Sequence, residues 1–278
     1  MKILFTKMHA LGNDFILIDA TQNLCTLSRV DIQQLANRRR GIGFDQLLLI
    51  ENRKSNNVTI DFHIRIFNAD GSEAEQCCNG ICCAALYLQK HVIRHQNTFR
   101  ISTINRVLKL KIKNSKNINV DVGVPHFHPQ DIPFQTHEIA HRYLVDVNHQ
   151  SVKISVVNIG NPHAIIEVKR LNSKKVHTLG AALSQHKRFP KGVNVGFMQL
   201  LDRQHIRLRV YERGVGETLA CGSAACAAMA VGRLNYRLQE RVIVDQPGGS
   251  LTINWQGPGN TIQLTGCATE VFEGEWQS

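Results

Sequence analysis

Apolar and polar residues alternate over two stretches of the chain, with apolar positions at Ile60, Phe62, Ile64 and Ile66 and again at Ile206, Leu208 and Val210. A period of two marks a strand with one dry and one wet face. Each stretch runs into a turn sequence, Asn68-Ala69-Asp70-Gly71 in one case and Arg213-Gly214-Val215-Gly216 in the other, whose Asx and Gly residues suit a reversing backbone. Past each turn the chain becomes small and apolar on every side, from Ile81 to Leu88 and from Ala224 to Val231. A helix without a polar face has to be buried. Shorter alternating runs at 107–112, 118–124, 152–157, 242–245, 250–254 and 261–265 predict further strands, and Gly248-Gly249 predicts a hairpin turn. The pattern is that of an α+β fold.

The two stretches are copies of one another. Arg65-Ile66-Phe67-Asn68, Glu73, Cys77 and Cys82 align without gaps on Arg209-Val210-Tyr211-Glu212, Glu217, Cys221 and Cys226, at a constant offset of 144 residues. Leu11-Gly12-Asn13 and Gln46 find echoes in Ile159-Gly160-Asn161 and Asn194 at an offset of 148. An internal repeat of this size implies two pseudo-symmetric halves, each a sheet wrapped on a central helix, with Cys77 and Cys221 at the two helix N-termini. The halves are expected over residues 1–122, completed by the terminal segment 266–278, and over 123–265. Gly123–Ile139, with Pro125, Pro129 and Pro133 and no helical period, reads as the linker.

Composition sets the partner classes. The chain has 278 residues, 43% of them hydrophobic, enough for one large or two ordinary cores. Its 33 Lys and Arg against 22 Asp and Glu leave a formal charge of +11, but the basic residues do not cluster. Lys109, Lys111 and Lys113 alternate with Leu108, Leu110 and Ile112 as the wet face of a strand, which argues against nucleic acid as a partner. No apolar run approaches the roughly 20 residues of a membrane span. The first residues lack the pattern of a secretory leader, so the expected location is the cytoplasm. Thiols stay reduced there, and the eight cysteines are then catalytic, metal-binding or buried.

A thiol at a helix N-terminus sits at the positive end of the helix dipole, among unpaired backbone N–H groups that favour its thiolate. Two such thiols facing each other across the cleft between the halves suit one reaction class. The thiolate removes a proton from carbon, and the thiol delivers one to the opposite face. The helix N-termini also offer N–H groups to a substrate carboxylate. No cofactor is then required.

Five blocks carry a resemblance to a known family: Met8-His9-Ala10-Leu11-Gly12-Asn13-Asp14-Phe15, Gly41-Ile42-Gly43-Phe44-Asp45-Gln46, Phe67-Asn68-Ala69-Asp70-Gly71-Ser72-Glu73, Gly160-Asn161-Pro162-His163, and Glu212 through Cys221 to Ser223. Nearly the whole chain resembles the diaminopimelate epimerase family. The resemblance implies a cofactor-independent isomerase, without pyridoxal phosphate or a metal, that interconverts LL- and meso-2,6-diaminopimelate for lysine and peptidoglycan synthesis. It also implies barrel-like halves and a homodimer.

Carried over by position, Cys77 and Cys221 are the two bases. The N–H groups of Cys78 and Asn79 and of Gly222 and Ser223 hold the reacting carboxylate. Asn13 and Gln46 line the pocket, and Asn68, Asn161, Asn194, Glu212 and Arg213 read the distal amino acid end. An Arg fork fits a carboxylate and a Glu pairs an ammonium, which together suit a zwitterion. His163 and Glu212 tune the thiols, and Phe272 stands at the dimer contact, where the family often has Tyr.

Departures from the family pattern fall at the first thiol. Cys78 stands where the family has Gly, and its side chain is expected to crowd the carboxylate and to offer Cys77 an inactive disulfide partner. Cys82 stands where the family has Arg, and Ala224 replaces a usual Gly. Cys25 and Cys267 have no context. Two alternatives remain: a related cofactor-free racemase of a proline- or histidine-like amino acid, and a degenerate thiol- or metal-binding relative.

Overall fold

The computed structural model describes residues 2–22, 25–52, 60–236 and 238–277. Its contacts divide the chain into two compact units, Met1–Asp121 with Thr265–Ser278, and Val122–Leu264.

The first unit begins with strands β1 (Lys2–Ala10) and β2 (Asn13–Asp19), helix α1 (Arg29–Ala36), and strands β3 (Gln46–Glu51) and β4 (Phe62–Asn68). Helix α2 (Cys78–Tyr87) and strands β5 (Thr98–Ser102), β6 (Val107–Asn114) and β7 (Asn117–Gly123) follow. The last strand of the chain, Thr269–Gln277, runs antiparallel to β1. Successive strands are antiparallel except β2–β3 and β4–β5, which are parallel.

Strand alternation gives this sheet two apolar faces. Ile16, Ile18, Leu47, Leu49 and Phe67 pack against Ile32, Leu35 and Ala36 of α1. The intervening residues, Phe15 and Leu48 among them, cover α2. The first turn of α2 lies so close that a Cβ at Gly80 would meet Leu48 Cδ2 at 2.9 Å and Phe15 Cε1 at 3.1 Å. α2 is buried along almost its whole length, as its composition requires.

The second unit contains β8 (Tyr143–Val147), β9 (Gln150–Asn158), β10 (Pro162–Glu167), α3 (Ser173–Ser184), β11 (Asn194–Leu200), β12 (His205–Glu212) and β13 (Gly216–Thr218). Helix α4 (Gly222–Tyr236) and strands β14 (Arg241–Gln246), β15 (Gly249–Asn254) and β16 (Ile262–Gly266) complete it. Val176, Leu179 and Leu183 of α3 pack on one sheet face with Ala164, Ile166, Val195 and Phe197, while α4 lies buried on the other.

Strand register shows the repeat directly. In the first unit Phe15 pairs with Gln46 in a parallel register and Leu47 with Phe67 in an antiparallel one. In the second, His163 pairs with Asn194 and Val195 with Tyr211, the same positions in the same directions. Phe62 beside Ile101 is echoed by Ile206 beside Val244, both parallel. A side-chain ion pair is also repeated, Arg65 with Glu73 at 2.9 Å and Arg209 with Glu217 at 2.6 Å.

Three features differ from the sequence-based expectation. The linker expected at Gly123–Ile139 is instead packed into the second unit: Ile132 and Phe134 are buried in its core, and His126 pairs with Asn158. A short 3-10 helix over Pro129–Asp131 leads into these buried residues. Helices α1 and α3 were not predicted, although Ser28 and Asp31 form a capping box at the start of α1 and Asn172 caps α3. The sheet is mixed, as a mixed or antiparallel expectation allows, but among the described residues it does not close into a barrel.

Packing of α3 gives a test. A Cβ at Gly180 would lie 2.6 Å from Tyr211 Cβ and 2.8 Å from its Cγ. Ala is the better helix former by about 1 kcal/mol, but displacing Tyr211 from β12 costs more. Gly180→Ala is expected to destabilise the protein by about 1–2 kcal/mol in urea unfolding. An unchanged or higher midpoint would show that Tyr211 yields freely.

Candidate active site

Asn13, Gln46 and Asn68 project from β2, β3 and β4 toward the sheet face that covers α2, and Cys77 is the N-cap of that helix. Its sulfur accepts the Gly80 N–H at 3.4 Å and donates to Asn13 Oδ1 at 3.8 Å. Asn79 Nδ2 donates to the same oxygen at 3.5 Å. Gln46 Nε2 donates to Asn68 Oδ1 at 2.9 Å, and Asn68 Nδ2 donates to Ser72 Oγ at 3.0 Å. Gln46 Oε1 is buried and has no hydrogen-bond partner among the described residues. The first unit therefore assembles Asn13, Cys77 and Asn79 as one group and Gln46 with Asn68 as another.

Cys221 stands immediately before α4 and accepts the Ala225 N–H through its carbonyl at 3.0 Å. Its own N–H donates to Gln246 Oε1 at 2.8 Å, which fixes the helix start to the end of β14. Its sulfur lies 3.5 Å from Ser223 Oγ, which lies 3.1 Å from His163 Nε2, which in turn lies 2.8 Å from Asn161 Oδ1. An amide oxygen only accepts, so Nε2 carries the ring proton. Nδ1 is then a buried acceptor with no hydrogen-bond partner among the described residues. Asn194 Oδ1 accepts the backbone N–H of Arg213 at 2.9 Å, and Arg213 Nη1 donates to the Lys191 carbonyl at 2.7 Å. Glu212 accepts from Thr218 Oγ1.

His163 occupies the repeat position of Phe15. It is wholly buried in β10, and that burial, with the Arg213 charge nearby, lowers its pKa to about 3. It is therefore neutral around pH 7 and carries no charge to either sulfur. The sequence also singled out Cys78 and Cys82, which, like Cys83, are buried thiols inside α2. Gln76 Nε2 donates to Cys78 Sγ at 3.3 Å, and burial pushes Cys82 and Cys83 well up, so both stay protonated. Phe272 is half exposed on the terminal strand, edge-on to Phe5 at 6.0 Å.

Sequence reasoning missed two residues that hold the site in place, Asp45 and Gln246. Asp45 accepts from Asn13 Nδ2 at 2.9 Å. It sits next to Gln46 in a motif block, which was the available signal. Gln246 has none, because only the fold brings it to Cys221.

The buried imidazole predicts an acid weakness. Its folded pKa is depressed, so between about 6.5 and 3 the unfolded chain binds a proton that the folded one does not. Stability from this group is present above pH 6.5 and is lost as pH falls, at up to about 1.4 kcal/mol per pH unit. His163→Gln is expected to flatten the pH dependence of urea unfolding in that window. An unchanged slope would contradict a buried neutral His163.

Comparison with known proteins bears on the family and the fold. The family profile described as diaminopimelate epimerase matches residues 5–128 and 155–271. The diaminopimelate epimerase of Coxiella burnetii (strain RSA 493 / Nine Mile phase I) is 58% identical over 276 residues, covering 99% of each chain. Among solved structures, a hydroxyproline epimerase from Agrobacterium vitis superposes with a TM-score of 0.70 at 13% identity, over 99% of this chain and 92% of that one. A phenazine biosynthesis protein of the PhzF family from Bacillus anthracis gives 0.67 at 18% identity, over all of both chains. At such identities these two establish the shared two-domain α+β fold. With a profile over most of its length and a full-length relative at 58% identity, the chain belongs to the diaminopimelate epimerase family.

Proposed function

We propose that this protein is an isomerase that epimerises LL-2,6-diaminopimelate to meso-2,6-diaminopimelate, with Cys77 and Cys221 as its two bases. The observation that carries the reading is the repeat: in both halves the same strand register puts a cysteine at the start of a buried helix. Turnover starts with one sulfur as thiolate and the other as thiol. The thiolate takes the α-proton and becomes S–H. The carbanion's charge spreads into the carboxylate, held by the N–H groups of Cys78 and Asn79 and of Gly222 and Ser223. The other cysteine gives its proton to the opposite face and is left as thiolate. Atoms and charge balance without a cofactor, and the two sulfurs have exchanged roles.

Asn13 and Gln46 line the pocket in this reading, and Asn68, Asn161, Asn194, Glu212 and Arg213 bind the distal zwitterion. Arg213 supplies the second carboxylate clamp, for which a proline- or histidine-like substrate has no use. Buried acceptors at Gln46 and His163, without a partner among the described residues, support a polar ligand in each half. His163, linked to Cys221 Sγ through Ser223 Oγ, and Glu212 tune the thiols. The halves 1–122 with 266–278 and 123–265 are the proposed functional domains, and Phe272 the proposed contact of a homodimer. No helix among the described residues is long and apolar enough to cross a membrane. We place the enzyme in the cytoplasm, where its thiols stay reduced.

Incubation of the reduced protein with LL-diaminopimelate in D2O tests the reading. Wild type is expected to give meso product carrying α-deuterium. Cys77→Ala and Cys221→Ala should each lose turnover by about 1,000-fold or more, the scale of deleting an acid–base group. Absence of exchange in the folded wild type would refute the assignment.

A further inference from the structure

The two sulfurs share a repeat position but not a scaffold. Beside Cys77, the Asn13 amide is held by a charged cluster: Nδ2 donates to Asp45 Oδ2 at 2.9 Å, and Asp45 Oδ1 accepts Arg38 Nη2 at 2.7 Å. Arg38 also grips Asp14 through Nη1 at 3.0 Å and Nη2 at 2.7 Å, and Lys7 Nζ closes on Asp14 at 2.5 Å. Asp14 and Asp45 brace each other, the Asp14 N–H donating to Asp45 Oδ2 at 3.2 Å and the Asp45 N–H to Asp14 Oδ1 at 3.1 Å. Burial pulls the Asp14 carboxyl up, but the Arg38 and Lys7 hydrogen bonds prevail and hold it well below the usual range, so Asp14 stays ionised. In the second half the positions of Asp14 and Asp45 are Pro162 and Val193, and the Asn161 oxygen is taken by His163. The cluster therefore serves Cys77 alone.

A carboxylate can only accept, so Asp45 dictates which end of the Asn13 amide faces it. Nδ2 turns to Asp45, and Oδ1, an acceptor, is left toward Cys77 Sγ at 3.8 Å. That oxygen stabilises S–H and repels S⁻. We infer that Asp45 and Arg38 are positioning residues which act through Asn13 to bias Cys77 toward its thiol form, making the two cysteines unequal at rest. The inference rests on the two-thiol reading for its catalytic meaning, but not for its geometry. Other titratable groups on or against α2 include Cys78, Cys82, Cys83 and Cys267, with Asp19, Tyr87, Glu270 and Glu273 at the far end of the helix, where Tyr87 Oη donates to Asp19 at 3.3 Å. Burial pushes Cys82, Cys83 and Cys267 up, so they add no charge near neutral pH.

The test is the pH profile of iodoacetamide alkylation at Cys77 and Cys221, resolved by peptide mass spectrometry in the full-length protein without substrate. Asp45→Ala and Arg38→Ala should each move the Cys77 midpoint down by about half a pH unit or more, raising its rate at neutral pH about threefold, with Cys221 unmoved. Loss of packing alone would expose both thiols or change the near-UV circular dichroism. Asn13→Ala, which removes the acceptor and leaves the ion cluster intact, should give the same shift if Asp45→Ala does not fold. A Cys77 midpoint that stays or rises in the folded variants overturns the inference. Failure of the epimerase reading shows separately, as missing α-deuterium exchange in the wild type.

Discussion

Helices α2 and α4 have no side that tolerates water, and most of the architecture answers to that constraint. A helix of Ala, Cys, Gly and Ile has to be covered, and a sheet face of alternating Phe, Leu, Ile and Val positions covers it. Close approach needs small residues at the helix start: a Cβ at Gly80 would lie only 2.9 Å from Leu48 Cδ2. The same approach brings the N-terminus of α2 beside the polar residues Asn13, Gln46 and Asn68 at the strand ends. A cysteine at that point is held by backbone geometry before any specific contact is made. The outer helices α1 and α3 cover the opposite sheet faces and let each sheet keep its register.

Duplication provides two such sites, and divergence separates their chemistry. Phe15 and His163 stand at equivalent register positions, one apolar and one a buried neutral imidazole linked through Ser223 to Cys221. Asp45 and Val193 are likewise equivalent, one fixing an amide by charge and the other packed in the core. A two-base reaction needs one acid and one base at the start of each turnover. In the proposed reaction that difference would come from the two unlike settings.

Much of this was legible in the sequence because period-two alternation and all-apolar helical runs are strong local signals, and because the repeat put Cys77 and Cys221 in one frame. Asn13, Gln46 and Asn68 were found by motif and repeat position, and the structure adds their contacts. What was not legible depended on partners far along the chain. Ser28 and Asp31 signal a helix start, yet the eight residues of α1 carry too weak a period to stand out. Prolines disguised the burial of Ile132 and Phe134. The reach of Gln246 to the Cys221 N–H, and of Asp45 to Asn13, exists only once the strands are paired.

The central claim is that both thiols serve one carbon. A crystal structure of the protein with meso-diaminopimelate bound tests it most directly. The account predicts Cys77 Sγ and Cys221 Sγ on opposite faces of a single α-carbon, its carboxylate on the N–H groups that open α2 and α4, and the distal end at Glu212 and Arg213. A ligand that meets only one of the two sulfurs would contradict it.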